Sequence, residues 1–314
     1  MDIREFQEPP TGSAEGIYDL IKSAEHRYEK GTLKEVSYHS QLALLYSILK
    51  QPEKCRFHAA RVPDDAKAED IANATISVAR IFIYEKNLKE AIVCYEKCLR
   101  ADPENDMALD EIAWCCYHEK RYDEAEKWFR ELIAVTEEPY GFSIWQGLGL
   151  TLAELKRYGE ARSCFEKELS HESHNANVYY YEHLIGLTYS NENDFYRALS
   201  HFTKSLDARP DYAPALNDMA ALYFEHEADI KTAIEYLKMA EEVADEEGDG
   251  LILQRVYINL VRLYGLISDY DQQELYNYKL LSLLGFGDIE IDEEEDGEEE
   301  DGEEEEDDED DDDL

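Results

Sequence analysis

Small and large apolar residues recur along the middle of the chain with a long, regular period. Each of six small residues is followed twelve residues later by a second one, giving the pairs Ala43 and Cys55, Ala79 and Ala91, Ala113 and Ala125, Gly149 and Ala161, Gly186 and Ala198, and Ala221 and Ala233. Successive pairs begin 36, 34, 36, 37 and 35 residues apart. A fixed period in this range is typical of a repeat architecture.

Within each period the apolar positions follow a helical spacing. One unit has Ile112, Ala113 and Cys116 on its first segment, then Ala125, Phe129 and Leu132 on its second. This spacing predicts two amphipathic helices per unit. A short polar turn joins the two segments, and Pro103, Pro139 and Pro210 end units because proline cannot continue a helix.

The small pair has a physical purpose in this pattern. Two antiparallel helices interlock closely only where short side chains let their backbones approach. Phe129, Phe165 and Phe202 each stand four residues beyond the second small residue and are predicted to fill the adjacent space. The small residues of each pair are therefore expected to be buried.

Two segments carry a resemblance to a known repeat family. Residues 109–132 contain Ala113, the run Tyr122-Asp123-Glu124-Ala125 and Phe129. Residues 145–165 contain Leu148-Gly149, the run Tyr158-Gly159-Glu160-Ala161 and Phe165. Both resemble the tetratricopeptide repeat (TPR) motif. Three further units fit the same motif, and two weaker units flank the array.

The resemblance implies an all-α fold, a right-handed superhelical α-solenoid of about seven TPR-like helix pairs. The predicted boundaries are a flexible N-terminus at 1–13, a capping helix at 14–35, the TPR array at 36–286 and a disordered acidic tail at 287–314. The strongest units are 72–105, 106–139, 142–175, 179–211 and 214–247, and degenerate units lie at 36–68 and 254–285. Terminal repeats are expected to be atypical caps with a more polar outer face.

TPR arrays present the first helix of each unit on a concave surface that holds peptide segments. The resemblance therefore implies a groove lined by aromatic and polar side chains, since such residues dominate interface energetics. The candidate groove residues are Arg80, Tyr84, Asp110, Trp114, Tyr117, His118, Gln146, Tyr180, His183, Asp218, Arg255 and Arg262. The alternative is that most of them only solvate or pack the inner face. The Lys and Asn clamp that some TPR proteins use for chaperone tails is absent from the matching positions.

Charge narrows the choice of partner. The chain carries a net charge of −43, and 22 of its 74 acidic residues lie between Asp288 and Asp313, where no Lys or Arg occurs. So dense a run of like charge predicts disorder, and it serves either as a polyanion for basic proteins or as a solubilising segment. Nucleic acid and anionic membranes are excluded as direct partners, and a basic protein surface would be attracted.

Catalytic and metal-binding motifs are missing from the sequence. It lacks a Gly-rich phosphate loop, a Gly-x-Ser-x-Gly elbow and a His-Glu-x-x-His pair. The six cysteines fall inside helical patterns, so they are predicted to be reduced and to fill the core rather than bind metal. We expect no enzyme activity, no metal and no cofactor. The start of the chain lacks a secretion signal, which predicts a cytoplasmic protein.

Two hypotheses for function follow. The first is a non-catalytic scaffold or adaptor that binds a peptide or protein in the concave TPR groove. The second is a chaperone-like or mimic protein that captures a basic partner through the polyanionic tail. The sequence does not define the partner or the oligomeric state.

Overall fold

A computed structural model of the chain describes residues 14–136, 144–170 and 176–286. These residues form fifteen α-helices and contain no β-strand, which confirms the predicted all-α fold. The predicted flexible N-terminus at 1–13 and the predicted acidic tail at 287–314 lie outside the described residues. The helices are α1 (Ala14–Glu29), α2 (Glu35–Ile48), α3 (Pro52–Ala59), α4 (Ala68–Tyr84), α5 (Leu88–Ala101), α6 (Asp106–His118), α7 (Tyr122–Val135), α8 (Ile144–Glu154), α9 (Tyr158–Ser170), α10 (Val178–Asn191), α11 (Phe195–Ala208), α12 (Ala213–Glu227), α13 (Ile230–Glu247), α14 (Gly250–Leu266) and α15 (Tyr270–Leu283).

The helices after α1 form seven consecutive pairs. Within a pair the two helices pack against each other, as α4 packs on α5 and α10 on α11. Each second helix then packs on the first helix of the next pair, as α5 packs on α6 and α7 on α8. Contacts between neighbours in sequence therefore build the whole stack, which is the arrangement of a solenoid.

One turn conformation joins the two helices in every pair. Each turn contains one non-glycine residue with a positive φ between 51° and 60°. These left-handed residues are Lys50, Lys86, Lys120, Lys156, Asn193, Ala228 and Ser268. In several pairs an Asn or Asp then caps the second helix, as Asp194 does by accepting a hydrogen bond from the Arg197 N–H at 3.3 Å. The repeat of the backbone thus matches the repeat of the sequence.

The glycines of the repeat lie where the helices approach most closely. A Cβ placed on Gly149 would stand 2.5 Å from the Phe165 ring, and one placed on Gly186 would stand 2.5 Å from the Phe202 ring. Both phenylalanines are buried. The predicted close approach between a small residue and the aromatic side chain of the second helix is therefore present in these units.

The pair α12–α13 departs from the predicted register. Ala220 is buried and shares an apolar cluster with Ala233 and Leu237, whereas Ala221, the predicted small residue, is only half-buried. In this pair the left-handed residue Ala228 follows the last helical residue directly, while in the other six pairs one residue separates them. The helix therefore continues one residue closer to the turn, which rotates the buried position by about 100°.

Both ends of the stack expose apolar as well as charged side chains. The first helix, α1, buries Ile17 and Ile21 and exposes Leu20 as well as charged residues such as Asp19 and Lys22. The expectation of a polar outer face was therefore wrong. At the other end, α15 buries only Tyr276 among its residues. Several large apolar side chains of α15 stay exposed.

Five of the six cysteines are buried, and Cys94 is half-buried. Burial raises the pKa of the thiols, to about 11 for Cys98 and Cys164 and to about 12 for Cys55. The reactive form of cysteine is the thiolate. At about pH 8 the folded chain is expected to react with a disulfide reagent at least about tenfold more slowly than a free thiol.

Reagent kinetics with and without guanidinium check this expectation. All six thiols should react promptly once the chain is unfolded. Rapid modification of buried Cys115 in the folded protein would contradict the burial that the fold assigns to it.

Candidate functional site: the inner face of the first helices

The first helices of neighbouring pairs contact one another directly. Such contacts join α2 with α4, α6 with α8, α10 with α12, and α12 with α14. In the described ranges, no two second helices of neighbouring pairs pack comparably. Because the first helices lie closer together than the second helices, the stack curves toward them. The inner face is therefore built by α2, α4, α6, α8, α10, α12 and α14.

Three predicted groove residues form one polar cluster on this face. His183 of α10 donates through Nε2 to Asp218 Oδ2 of α12 at 2.8 Å. Arg255 of α14 donates to the other oxygen of the same carboxylate at 2.7 Å. The three side chains thus link three consecutive first helices, and we name them the inner triad.

The environment of Asp218 keeps its carboxylate charged. Its side chain is only 13 % exposed, and burial by itself would raise the pKa. The hydrogen bond from His183 and the charge of Arg255 outweigh this effect and hold the pKa of Asp218 below its ordinary value. Asn217 also donates to Asp218 at 2.9 Å, and Asn259 donates to Asn217 at 3.0 Å. The network positions Arg255 at the surface of the groove.

A second contact between predicted residues joins α8 with α10. The Gln146 amide donates to the Tyr180 hydroxyl at 3.2 Å and accepts from the Tyr181 hydroxyl at 3.5 Å. The Gln146 backbone N–H donates to the buried carboxylate of Glu168 at 3.1 Å. Gln146 and Tyr180 are both half-buried, so their polar groups border the inner face.

The predicted residues on α6 form an aromatic group. The ring of Trp114 lies 5.7 Å from that of Tyr117 and 6.1 Å from that of His118. The Trp114 ring also lies 5.4 Å from the ring of Phe129 on α7, so much of its indole packs between the two helices. Burial raises the pKa of Tyr117 to about 12. Asp110, two turns before Tyr117, is half-buried.

The remaining predicted residues lie toward the ends of the groove. Arg80 of α4 approaches the Met107 sulfur of α6 at 3.1 Å. Arg262 of α14 is exposed, and its guanidinium lies 4.9 Å from the Phe224 ring of α12. Tyr84 is exposed at the last position of α4, where its ring faces Lys50 of the preceding turn at 5.7 Å. It has no contact with the inner triad or with the Gln146–Tyr180 pair.

Several supporting residues escaped prediction from sequence. Asn217, Asn259 and Glu168 look like ordinary polar residues within helices, yet they hold predicted groove residues in place. Tyr212 lies 5.4 Å from the His183 ring. Its place just before α12, at a unit boundary, is the one sequence signal that could have drawn attention to it.

The described residues offer neither a cluster of metal ligands nor a membrane-spanning helix. Among these residues, no group of three or more His, Cys, Asp and Glu side chains is arranged to hold a metal ion. None of the helices built from them combines the length and the apolar character needed to cross a membrane.

Comparison with known families agrees with this architecture of paired helices in a curved stack. A family model described as "Tetratricopeptide repeat" matches residues 82–141. A second model with the same description matches residues 142–170 and 183–212. The matched residues cover the central pairs, which include α6, α8 and part of α10 of the inner face. The chain is a tetratricopeptide repeat protein.

Known relatives and solved structures are similar to parts of this chain. The type IV pilus assembly protein PilF of Pseudomonas aeruginosa is 32 % identical over 98 residues, which are 31 % of this chain and 39 % of that protein. The crystal structure of PilW, a type IV pilus biogenesis factor, is 20 % identical, covers 69 % of this chain and 96 % of its own, and gives a TM-score of 0.55. A structure of Pseudomonas aeruginosa PilF is 20 % identical, covers 70 % of this chain and 95 % of its own, and gives a TM-score of 0.51. These two structures support the fold.

Proposed function

We propose that this chain is a non-catalytic scaffold that binds a peptide segment of another protein along its inner face. The observation that supports the proposal most is the run of polar contacts joining successive first helices. Gln146 of α8 is hydrogen-bonded to Tyr180 of α10, and the inner triad joins α10, α12 and α14. Such contacts fix side chains in one arrangement before a ligand arrives, which lowers the entropic cost of binding.

The chemistry of the inner face favours a particular kind of segment. Arg255 and Arg262 stand seven residues apart on the same face of α14, which places them about two turns from each other. The charge of Asp218 is already compensated by two partners, while the Arg255 side chain remains half-exposed. A peptide with an acidic residue near α14 and an apolar residue near the aromatic group of α6 fits this distribution.

A photo-crosslinking experiment tests the proposal with a matched pair of tyrosines. Tyr180 borders the inner face on α10, and Tyr196 lies on α11, where it is 80 % exposed. Each is replaced in turn by benzoyl-phenylalanine in the full-length chain expressed in its native cells. Adducts are then identified by mass spectrometry. We expect a protein adduct from position 180 and none above background from position 196, since only the first position faces the groove.

Equal labelling at both positions, or labelling only at position 196, would contradict binding along the inner face.

A second candidate function rests on the 22 acidic residues between Asp288 and Asp313, which would attract a basic protein. In that case deletion of residues 288–314 would abolish capture, and binding would weaken steeply with salt. Groove binding is expected to survive the deletion.

A further inference from the structure

Two histidines of the first pair of helices are in contact with each other. His39 of α2 is 9 % exposed, and His58 of α3 is half-buried. Their Nδ1 atoms lie 2.8 Å apart, which is a hydrogen-bond distance. One Nδ1 must therefore carry a hydrogen that the other accepts. An imidazole that accepts through Nδ1 is neutral, because both ring nitrogens of a charged histidine are donors.

Aromatic side chains enclose this pair. The ring of Tyr46 stacks on the His58 ring at 5.5 Å, and the ring of Tyr38 lies 5.1 Å from the His39 ring. Tyr28 of α1 stacks in turn on Tyr38 at 4.4 Å. The histidine pair thus joins α2 with α3 and, through Tyr38, adjoins α1. Enclosure of this kind removes water from both imidazoles, which disfavours their charged forms.

The charges around the pair act mostly in the same direction. Burial lowers the pKa of both histidines, to about 4 for His58. The positive charge of Arg61 lowers both pKa values further, and Lys54 of α3 also lowers that of His58. In the described part of the chain, Glu35 at the start of α2 is the one carboxylate that favours a charge, and it acts on His39.

The carboxylates of the neighbouring helices have other partners. Glu25 and Glu29 of α1 lie near Tyr38, and together with burial they raise the pKa of its hydroxyl. Asp70 of α4 accepts a hydrogen bond from Ser40 at 2.6 Å. A positive charge on the histidine pair would therefore find little compensation from α1 or α4.

The helices around the pair share an apolar cluster of their own. It includes Ile17 and Ile21 of α1, Leu42 of α2 and Cys55 of α3, and it takes in Ile81 from α4. The core of the central pairs is a different cluster. We name α1, α2 and α3 together the first unit. Repeat arrays open locally, so the first unit can open while the central pairs stay folded.

We propose that the His39–His58 pair is an acid-sensitive latch, which holds the first unit on the stack at neutral pH and releases it in mild acid. A proton on the accepting Nδ1 would set two N–H groups against each other across 2.8 Å. A proton on Nε2 of the donating ring would create an enclosed cation near Arg61. Both protonated forms are favoured once the first unit opens and water reaches the rings.

The direction of the effect follows from the lowered pKa values. In the open unit each histidine has the ordinary pKa of about 6.5, so below that pH the open state binds more protons than the closed state. The closed state has its full stability above about pH 6.5 and loses it as the pH falls toward the pKa of about 4 for His58. Because α2 is the N-terminal helix of the inner face, release in acid would shorten that face by one helix.

Hydrogen exchange of the full-length chain tests the latch. Exchange is followed by mass spectrometry at about pH 7.5 and about pH 5.5, on either side of the ordinary histidine pKa, and each rate is divided by the intrinsic rate at that pH. Amides of α2 and α3 report opening of the first unit. Amides of α7, which contains no histidine, are the internal reference.

Three variants accompany the wild type, namely His58→Asn, His39→Asn/His58→Asn and the control His26→Asn. Asparagine offers a hydrogen-bonding amide in place of the ring nitrogen but does not titrate. His26 is exposed on α1 and so belongs to the same unit without being part of the pair.

We expect opening of the wild-type first unit to increase at least about tenfold between the two pH values. A single histidine whose pKa is about 4 in the closed unit and about 6.5 in the open unit gives this factor. The double variant should open to within about twofold equally at both pH values, and His58→Asn should lie between it and wild type. The control His26→Asn should keep the wild-type ratio. A variant that is less stable at both pH values still gives an interpretable ratio.

Three outcomes would overturn the proposal. Protection of α2 and α3 could stay the same at both pH values in wild type. The double variant could keep the tenfold increase, which would assign the pH dependence to other groups. Finally, α7 could lose protection in acid as strongly as α2 and α3 do, which would show a general effect of acid on the stack.

Discussion

Replacing Gly186 with alanine is expected to lower the free energy of unfolding by about 1–3 kcal/mol. The added Cβ would stand 2.5 Å from the Phe202 ring, which is fully buried and cannot move aside without disturbing the core. The same replacement at Gly159 should instead raise the free energy of unfolding by about 0.5 kcal/mol. A Cβ at Gly159 meets only the end of the Arg162 side chain, at 3.8 Å, so the gain in helix propensity is unopposed.

The experiment separates close packing from a general effect of glycine. Hydrogen exchange can assign the loss of stability to α10 and α11. This local measurement is needed because long repeat arrays depart from two-state unfolding. In the double variant Gly186→Ala/Phe202→Leu, the added methyl group gains room, so the penalty for alanine should shrink. A stabilising effect of Gly186→Ala alone would show that the helices do not approach as closely as the structure indicates.

Replacing Asp218 with alanine is expected to cost about 2 kcal/mol of stability in the pairs α10–α11 and α12–α13. The carboxylate is the common acceptor for His183 and Arg255, and its loss leaves the buried His183 without that partner. The matched control is Asp211→Ala. Asp211 is exposed and accepts only from Arg209 at 3.2 Å, so this variant should change stability by less than about 0.5 kcal/mol.

The pH dependence of this effect follows from the lowered pKa of Asp218. A carboxyl group whose pKa is lower in the folded state contributes its full stability above the unfolded pKa of about 3.9 and loses it as pH falls through the folded pKa. The stability difference between wild type and Asp218→Asn should therefore shrink as the pH falls from about 5 through the folded pKa. Chemical denaturation across this range checks the trend. A difference that grows in acid would contradict the sign.

Much of the fold could be predicted because each repeat carries its own local signals. The small residues, the turns and the proline breakers lie within about three dozen residues of one another, so one unit can be recognised without knowledge of the others. The exception at Ala221 shows that counting residues from one repeat to the next misses a change in helix length. A single residue more of helix before Ala228 was enough to move the buried position to Ala220.

The inner face was harder to predict than the helices. The sequence placed His183, Asp218 and Arg255 on first helices, but their mutual contacts span 35 and 37 residues and depend on how strongly the stack curves. The exposed apolar side chains of α15 were not predicted because a polar outer surface is only the usual solution for an end repeat.

The left-handed turn residues distribute positive charge unevenly along the stack. The first four are lysines, Lys50, Lys86, Lys120 and Lys156, all exposed, whereas the last three are Asn193, Ala228 and Ser268. Successive turns of a solenoid lie along one edge, so a row of ammonium groups follows that edge over the N-terminal half only. The opposite end leads into the run of carboxylates. A charged molecule approaching from solution would therefore be attracted differently by the two halves of the stack before it reaches the inner face.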